Sequence, residues 1–161
     1  MENLIDELKK FSEDIVKIGN NIDDNRIEEF EQSNQLTLPC DFKKFIKIVN
    51  GFSLIGTEVY GFDKTKVNAI ENIYYREHHE VRVPQYSYLV PFSPDGRGNF
   101  YCLDTIHQLM DRNFPIVFWV SNYEYSKDDM PEVTHKNFLD WVKEIIIDWT
   151  LEDYNYDGSG K

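Results

Sequence analysis

The chain has 161 residues, of which 41% are hydrophobic and 15% aromatic, and its 17 Lys and Arg against 29 Asp and Glu give a net charge of −12. This length and apolar content predict one domain with a sizeable core and exclude a disordered chain. The acidic balance argues against a protein that coats nucleic-acid phosphates. The charged start MENLIDELKK is unlike a signal peptide, and no apolar run approaches the ~18 residues of a membrane span, so we expect a soluble, cytoplasmic protein.

The first segments of the chain are predicted to be helical. Apolar residues recur every three to four positions over residues 2–19, which predicts a first helix that ends at Gly19. Asp24 is suited to cap a second helix, whose apolar side begins at Ile27, because its carboxylate can accept unpaired N–H groups of the first turn. The apolar positions of the first helix are Leu4, Leu8, Phe11, Ile15 and Ile18.

Residues 27–52, IEEFEQSNQLTLPCDFKKFIKIVNGF, predict two packed helices separated by Leu38-Pro39. Pro39 fits the first turn of the second helix, where its missing N–H costs nothing. Asn50-Gly51 ends that helix, because glycine readily adopts the left-handed conformation found beyond a helix end. The buried face of the second helix is predicted to be Phe42, Phe45, Ile46 and Val49.

After Gly51 the pattern predicts short strands and one polar helix within residues 64–80. Pro94 and the glycines Gly96 and Gly98 predict a tight turn between two of the strands. Because short turns join the strands, we expect one mostly antiparallel sheet of about four to six strands. The expected strands are residues 58–62, 88–92, 99–105 and 115–120, the last apolar on both faces and therefore central.

The C-terminal part is predicted to be an acidic loop, residues 121–133, followed by a closing helix capped by Thr134. Residues 151–161 are expected to fray. Helices at both ends and strands between them predict an α+β fold, with helices packed at the N-terminal side and one domain over residues 1–161. The closing helix is expected to point Phe138, Trp141, Val142, Ile145 and Trp149 inward.

Three patterns in the sequence resemble parts of known chemical sites. Cys40 and Cys102 lie in apolar-periodic segments and are predicted to be reduced, buried thiols. Residues 78–79 are paired histidines that diverge by about 100° on a helix and lack a zinc-protease spacing, which indicates a solvated helix end. Residues 153–158, DYNYDG, match the first half of a calcium loop but lack its bidentate Glu, so a polar tail is favoured while calcium binding stays open.

The acidic loop carries the best candidate for a binding site. Tyrosine is favoured at protein interfaces, and here it alternates with carboxylates. Residues 122–161 hold ten acidic and four basic side chains, half of the net charge, which suits a basic protein partner. An ordinary exposed loop, acidic for solubility alone, is the alternative. The candidate partner-binding residues are Tyr123, Glu124, Tyr125, Asp128 and Asp129.

Several segments, taken in order, resemble the SUKH superfamily, the Smi/Knr-like proteins. Beside residues 27–52, these segments are VPFSPDGRGNFYCLD, PIVFWVSN and FLDWVKEII, so the resemblance spans about residues 25–148. Phe52 departs from the pattern, which often has a second glycine there, and the 121–133 loop carries no family signature. The positions that carry the structural motif are Pro39, Asn50, Gly51, Gly96, Gly98, Asp104 and Trp119.

The resemblance implies a bacterial immunity protein without catalytic residues, cofactor or metal. Such a protein would bind a cognate polymorphic toxin domain and block it by occlusion, as a monomer or a homodimer, without touching nucleic acid or membrane. A basic toxin such as a nuclease would suit the acidic surface. The alternatives are a regulatory scaffold, as for fungal members of the superfamily, and a small hydrolase, which would require a pocket where histidine and carboxylate groups converge.

Overall fold

The computed structural model of the protein describes residues 1–126 and 129–161. Within them, helices flank a run of short strands. In chain order the elements are α1 (Glu2–Leu8), β1 (Val16–Ile18), α2 (Asp24–Asn34), α3 (Cys40–Ile48), β2 (Phe52–Leu54), β3 (Thr57–Val59), α4 (Ile70–His79), β4 (Leu89–Pro94), β5 (Phe100–Asp104), β6 (Ile116–Trp119), β7 (Glu132–His135), α5 (Phe138–Trp141), a π-helix (Val142–Asp148) and α6 (Trp149–Asp153).

The described strands form two antiparallel sheets, ordered β1-β2-β3 and β4-β5-β6-β7. In the first, Phe52 pairs with Ile18 on one side and Val59 on the other. In the second, Cys102 of β5 pairs with Val117 of β6. The α+β class, the antiparallel strands and the closing C-terminal helix are confirmed, and β6 is an inner strand as predicted.

The two sheets meet along β3 and β4. The N–H of Tyr60 donates to the carbonyl of Phe92 at 2.8 Å, and the Ser93 hydroxyl donates to the carbonyl of Glu58 at 2.6 Å. Ser93 is a buried polar residue, and this bond satisfies its hydroxyl. The joint therefore lets one core run beneath both sheets.

The core is rich in aromatic side chains. The Phe138 ring meets those of Phe42 and Phe45 edge-on at 4.9 and 5.3 Å, and Phe92 meets Trp141 edge-on at 4.8 Å. Full burial of each such ring contributes about 1.5–3 kcal/mol. The predicted inner face of α3 is confirmed, since its four members Phe42, Phe45, Ile46 and Val49 are all buried.

The N-terminal helix is shorter than predicted, because α1 ends at Leu8 and residues 16–18 form a strand. The carbonyl of Ser12 accepts the N–H groups of Ile15 and Val16, both at 3.0 Å, and this turn separates the two elements. β-Branched Val16 and Ile18 suit a strand once β2 is present to pair with them. The periodicity of residues 2–19 cannot reveal β2 as a partner, because β2 lies more than thirty residues further along the chain.

Two predicted helix starts are shifted. The carboxylate of Asp23, not Asp24, caps α2 by accepting the N–H of Asn25 at 3.0 Å. Thr134 lies in β7, so the predicted 121–133 loop ends earlier than expected, and Asn137 caps the closing helix by accepting the N–H of Asp140 at 2.8 Å. Asp23 and Asp24 cap equally well, and asparagine is a better N-cap than threonine, so both corrections agree with capping preferences.

The closing helix changes period after Trp141. Residues 142–148 form a π-helix, whose i→i+5 bonds turn more widely than an α-helix. The side chains that follow are therefore rotated, and Ile146 and Ile147 are buried. Trp149, predicted to point inward, is 54% exposed instead.

The C-terminal tail contacts the N-terminal segment. The carbonyl of Tyr156 accepts the N–H of Ser12 at 2.8 Å, and its ring lies 4.9 Å from the ring of Phe11. A Cβ on Gly158 would lie 2.7 Å from the Ile15 methyl, which shows how closely the tail approaches that residue. Residues 156–158 therefore pack against residues 11–15.

Candidate partner-binding surface

Asn50 and Gly51 build a scaffold junction. The Asn50 amide donates to the carbonyl of Phe62 at 3.0 Å and accepts its N–H at 2.7 Å. Gly51 has φ +76°, which favours glycine. A Cβ on Gly19 or Gly61 would lie 2.1 or 2.4 Å from the Asn50 carbonyl oxygen, so three chain segments cross there at backbone contact.

Pro39 and Asp41 fix the start of α3. Pro39 precedes the first helical residue, one position earlier than predicted, and its carbonyl accepts the N–H of Lys43 at 2.9 Å. The Asp41 carboxylate accepts the N–H of Phe138 at 3.0 Å and so ties α3 to α5. Burial raises the pKa of Asp41, although hydrogen bonds from the N–H groups of Phe42 and Phe138 partly offset this rise. This segment is therefore scaffold as well.

The glycine-rich turn closes the β4–β5 hairpin. Gly96 and Gly98 have φ +77° and +95°. The Asp95 carboxylate accepts the N–H groups of Arg97 and Asn99 at 2.7 and 2.9 Å. Partial burial alone would raise the pKa of Asp95, but these hydrogen bonds outweigh it and hold the pKa below its ordinary value. The N–H groups of Arg97 and Asn99 are therefore already hydrogen-bonded within the turn.

Asp104 orders the end of β5. Its buried carboxylate accepts the N–H groups of Ile106 and His107 at 3.0 and 2.9 Å, and it lies 2.8 Å from Nδ1 of His107. His107 is half-exposed and meets the Tyr88 ring edge-on at 5.0 Å. Among the described residues, no hydroxyl or thiol is hydrogen-bonded to this imidazole.

The two cysteines lie in different environments. Cys102 is buried as predicted, its thiol donates to the Gln85 side-chain oxygen at 3.5 Å, and burial raises its pKa. Cys40 is exposed, so the prediction that it is buried is wrong. It begins α3 on the side opposite the buried face. Among the described residues, no three His, Cys, Asp or Glu side chains are grouped to hold a metal ion.

His78 is more than a solvated helix end. Its ring stacks on Tyr74 at 3.9 Å, and its nitrogens face the carbonyls of Tyr74 and Tyr86 at 2.6 and 3.1 Å. Burial lowers the pKa of His78, although both carbonyls oppose this. His79 is exposed, as predicted for a helix end. His78 thus joins α4 to the segment that carries Tyr86.

The acidic loop is anchored on the second sheet by Tyr125. Its ring stacks on Trp119 at 4.3 Å, and its hydroxyl oxygen accepts the N–H of Val120 at 3.0 Å. Tyr123 meets Tyr125 edge-on at 4.8 Å, is 48% exposed and donates its hydroxyl to the Asp129 carboxylate. That carboxylate raises the pKa of Tyr123. Asp128, the fifth predicted partner-binding residue, lies outside the described residues.

A second pair of tyrosines extends this surface. The Tyr86 and Tyr88 rings stack at 5.5 Å and 12°, and Tyr86 meets Trp119 edge-on at 5.5 Å. The Tyr86 hydroxyl donates to the carbonyl of Ser126 at 3.2 Å. Nothing in the sequence spacing places residues 86–88 beside a loop some forty residues later. We call this set the tyrosine surface: Tyr86, Tyr88, Tyr123, Tyr125 and Met130, whose sulfur lies 3.9 Å from the Tyr88 hydroxyl.

Carboxylates border the tyrosine surface. Glu124 is exposed, and its only described basic neighbour is Arg82, whose guanidinium lies 3.7 Å from it. Asp129 is half-buried beneath Tyr123, and Glu132 is exposed at the start of β7. The surface therefore combines fixed aromatic rings with negative charge, the composition expected of a face that meets a basic protein.

No described helix is both long and apolar enough to cross a membrane. The model of the SUKH_5 family, described as SMI1-KNR4 cell-wall, matches residues 1–147 of the chain. No curated protein matches the chain. The matched range includes both the Asn50-Gly51 junction and the whole tyrosine surface.

Proposed function

The chain belongs to the SMI1-KNR4 family of the SUKH superfamily, and from that premise we propose that it is an immunity protein which binds a cognate toxin domain. SUKH proteins are known as immunity proteins. The chain would act in the cytoplasm of the toxin-producing cell and would block the toxin by covering its functional face. The proposal requires a complementary surface and no chemistry from the immunity protein.

The tyrosine surface is the observation that supports a particular binding face. Tyr123 and Met130 expose about half of their area, while Tyr86 and Tyr125 are fixed beneath them by hydrogen bonds. Rigid aromatic side chains provide contact area at low conformational cost, which is why they dominate binding energy at interfaces. We therefore assign the toxin-binding role to this surface, with Glu124 and Asp129 at its border.

The net charge of −12 favours a basic toxin domain, such as a nuclease. Opposite net charges speed the encounter of two proteins through long-range attraction. A domain that binds nucleic acid must be positively charged where it meets phosphate. Covering that face would prevent the toxin from reaching its substrate, which is inhibition by occlusion.

Co-purification tests this proposal. The toxin domain is expected at the C-terminus of a large secreted protein encoded directly upstream. We expect the tagged chain, co-expressed with that domain, to retain it through size-exclusion chromatography as a stoichiometric complex. A Tyr123→Ala, Met130→Ala double variant should lose the complex, while Tyr75→Ala, on the exposed side of α4, should keep it. Failure of the unaltered chain to retain the domain would contradict the proposal.

A further inference from the structure

We propose that the tyrosine surface is an arginine-recognition site, in which guanidinium groups of a basic partner stack on tyrosine rings and bind the bordering carboxylates. The inference rests on the proposed function and specifies the chemistry of the partner. Such a site would bind arginine in preference to lysine, whereas net charge alone attracts both equally.

The tyrosine rings are held in place before any partner arrives. The hydroxyls of Tyr86 and Tyr125 bond backbone groups of Ser126 and Val120 at 3.2 and 3.0 Å. The Tyr123 hydroxyl donates to Asp129. Each of these three hydroxyls therefore has a hydrogen-bond partner within the protein. A ligand would contact the faces and edges of the rings rather than the hydroxyl groups. A fixed ring loses little conformational freedom on binding.

The electrostatics of this arrangement favour a planar cation. An aromatic ring is negative on its face, and a guanidinium stacks there while its N–H groups remain free to reach a carboxylate. Glu124 directly follows Tyr123, and Asp129 accepts the Tyr123 hydroxyl, so both can supply such carboxylates. The ammonium group of lysine is a compact, strongly hydrated charge that cannot stack and bridge in the same way.

The chain already places one guanidinium at this border. Nη2 of Arg82 lies 3.7 Å from Oε1 of Glu124, and its side chain is 92% exposed. Such an exposed pair is weak and easily exchanged. An arginine of the partner would compete with Arg82 for Glu124. Removing Arg82 should therefore strengthen binding of a basic partner.

Peptide binding to the isolated full chain tests the inference. The probes are a short oligo-arginine peptide and an oligo-lysine peptide of equal length and charge, titrated at equal salt while tyrosine ring resonances are followed by NMR. We expect the arginine peptide to bind roughly two- to five-fold more tightly for each stacked guanidinium and to shift the Tyr123 ring signals. Arg82→Gln should tighten binding of the arginine peptide further.

Two substitutions at one position separate stacking from folding. Tyr123→Phe keeps the ring and should keep the arginine preference, whereas Tyr123→Leu should reduce it toward the value for lysine. Tyr75→Leu, which changes an exposed tyrosine whose ring neighbour is His79, should leave the preference unchanged. Unchanged amide spectra outside the loop show that each variant is folded.

Equal affinity for both peptides, or an arginine preference that survives Tyr123→Leu, would overturn the inference. These outcomes are distinct from failure of the proposed function. A chain that retains the toxin domain without preferring arginine contradicts the arginine site alone. A chain that prefers arginine through Tyr123 but never retains the toxin domain contradicts the immunity function alone.

Discussion

Asn50 fixes the path of two segments at once, because its amide satisfies both backbone groups of Phe62. Replacing it with alanine leaves a donor and an acceptor without their partner inside the glycine-lined junction. We expect Asn50→Ala to lower the free energy of unfolding by about 2 kcal/mol or more. Asn122→Ala, an exposed control, should change it by less than about 0.5 kcal/mol. Urea denaturation measures both, and equal effects would show that the junction is not structural.

Glu71, in the first turn of α4, is a candidate for pH-dependent stability. Both of its carboxyl oxygens are buried, and within the described residues neither makes a hydrogen bond of good geometry. Burial raises the pKa of Glu71, and the nearby backbone N–H groups of Glu71 and Asp63, together with the charge of Arg26, offset this only in part. A carboxyl whose pKa is raised by folding favours the native state at low pH and loses that advantage as pH rises from its ordinary value of 4.5 through the raised one.

Glu71→Gln should therefore raise the free energy of unfolding at pH 7 and have a smaller effect at pH 4. Denaturation at the two pH values measures the change. Glu80→Gln, which removes the same charge from an exposed position, is the control for net charge and should show no such difference. If Glu71→Gln were less stable at pH 7 than the unaltered chain, the ionised Glu71 carboxylate would be stabilised in the folded protein, which contradicts this prediction.

At the scale of elements, the π-helix decides which tryptophan belongs to the core. Trp141 is buried, whereas Trp149 is exposed after the change of period. We expect Trp141→Ala to cost about 3–5 kcal/mol of unfolding free energy. Trp149→Ala, the matched control, should cost less than about 1 kcal/mol because little apolar area is lost. Comparable losses at both positions in urea denaturation would argue for a regular α-helix through residues 138–149.

Local periodicity explains what could be predicted about these elements. The α3 face from Phe42 to Val49 and the strand 116–119 were found because their patterns are complete within one element. The π-helix could not be found, since an α-helical period fits the same apolar residues with Trp149 inside. β1 was assigned to a helix because its partner, β2, lies more than thirty residues away.

The same limit applies to the candidate site. Tyr123, Glu124 and Asp129 were identified because they are neighbours in sequence. The sequence shows that Tyr86 and Tyr88 are present, but it does not predict that they lie beside the acidic loop. The hydrogen bond that joins them to it, from Tyr86 to Ser126, spans forty residues. The ring stacking of Tyr125 on Trp119 likewise depends on the turn after β6. The binding-face proposal thus needs the tertiary structure.

At the scale of the whole molecule, charge should govern the speed of partner binding. We expect the association rate with the toxin domain to fall as salt rises, and the Glu124→Lys, Asp129→Lys variant to associate more slowly with a weaker salt dependence. Stopped-flow measurement at several salt concentrations tests this. Glu28→Lys, Glu29→Lys on the exposed side of α2 applies the same net charge change elsewhere as a control. An association rate independent of salt for every form would contradict the electrostatic account.

The central claim is that the chain neutralises a toxin by covering it. The most direct measurement is a titration of the neighbouring toxin domain's activity with the purified chain. The account predicts that activity falls linearly and reaches zero at an equimolar ratio, with both proteins chemically unchanged by mass spectrometry. Undiminished activity at excess chain, or complete inhibition by a small fraction of an equivalent, would contradict it.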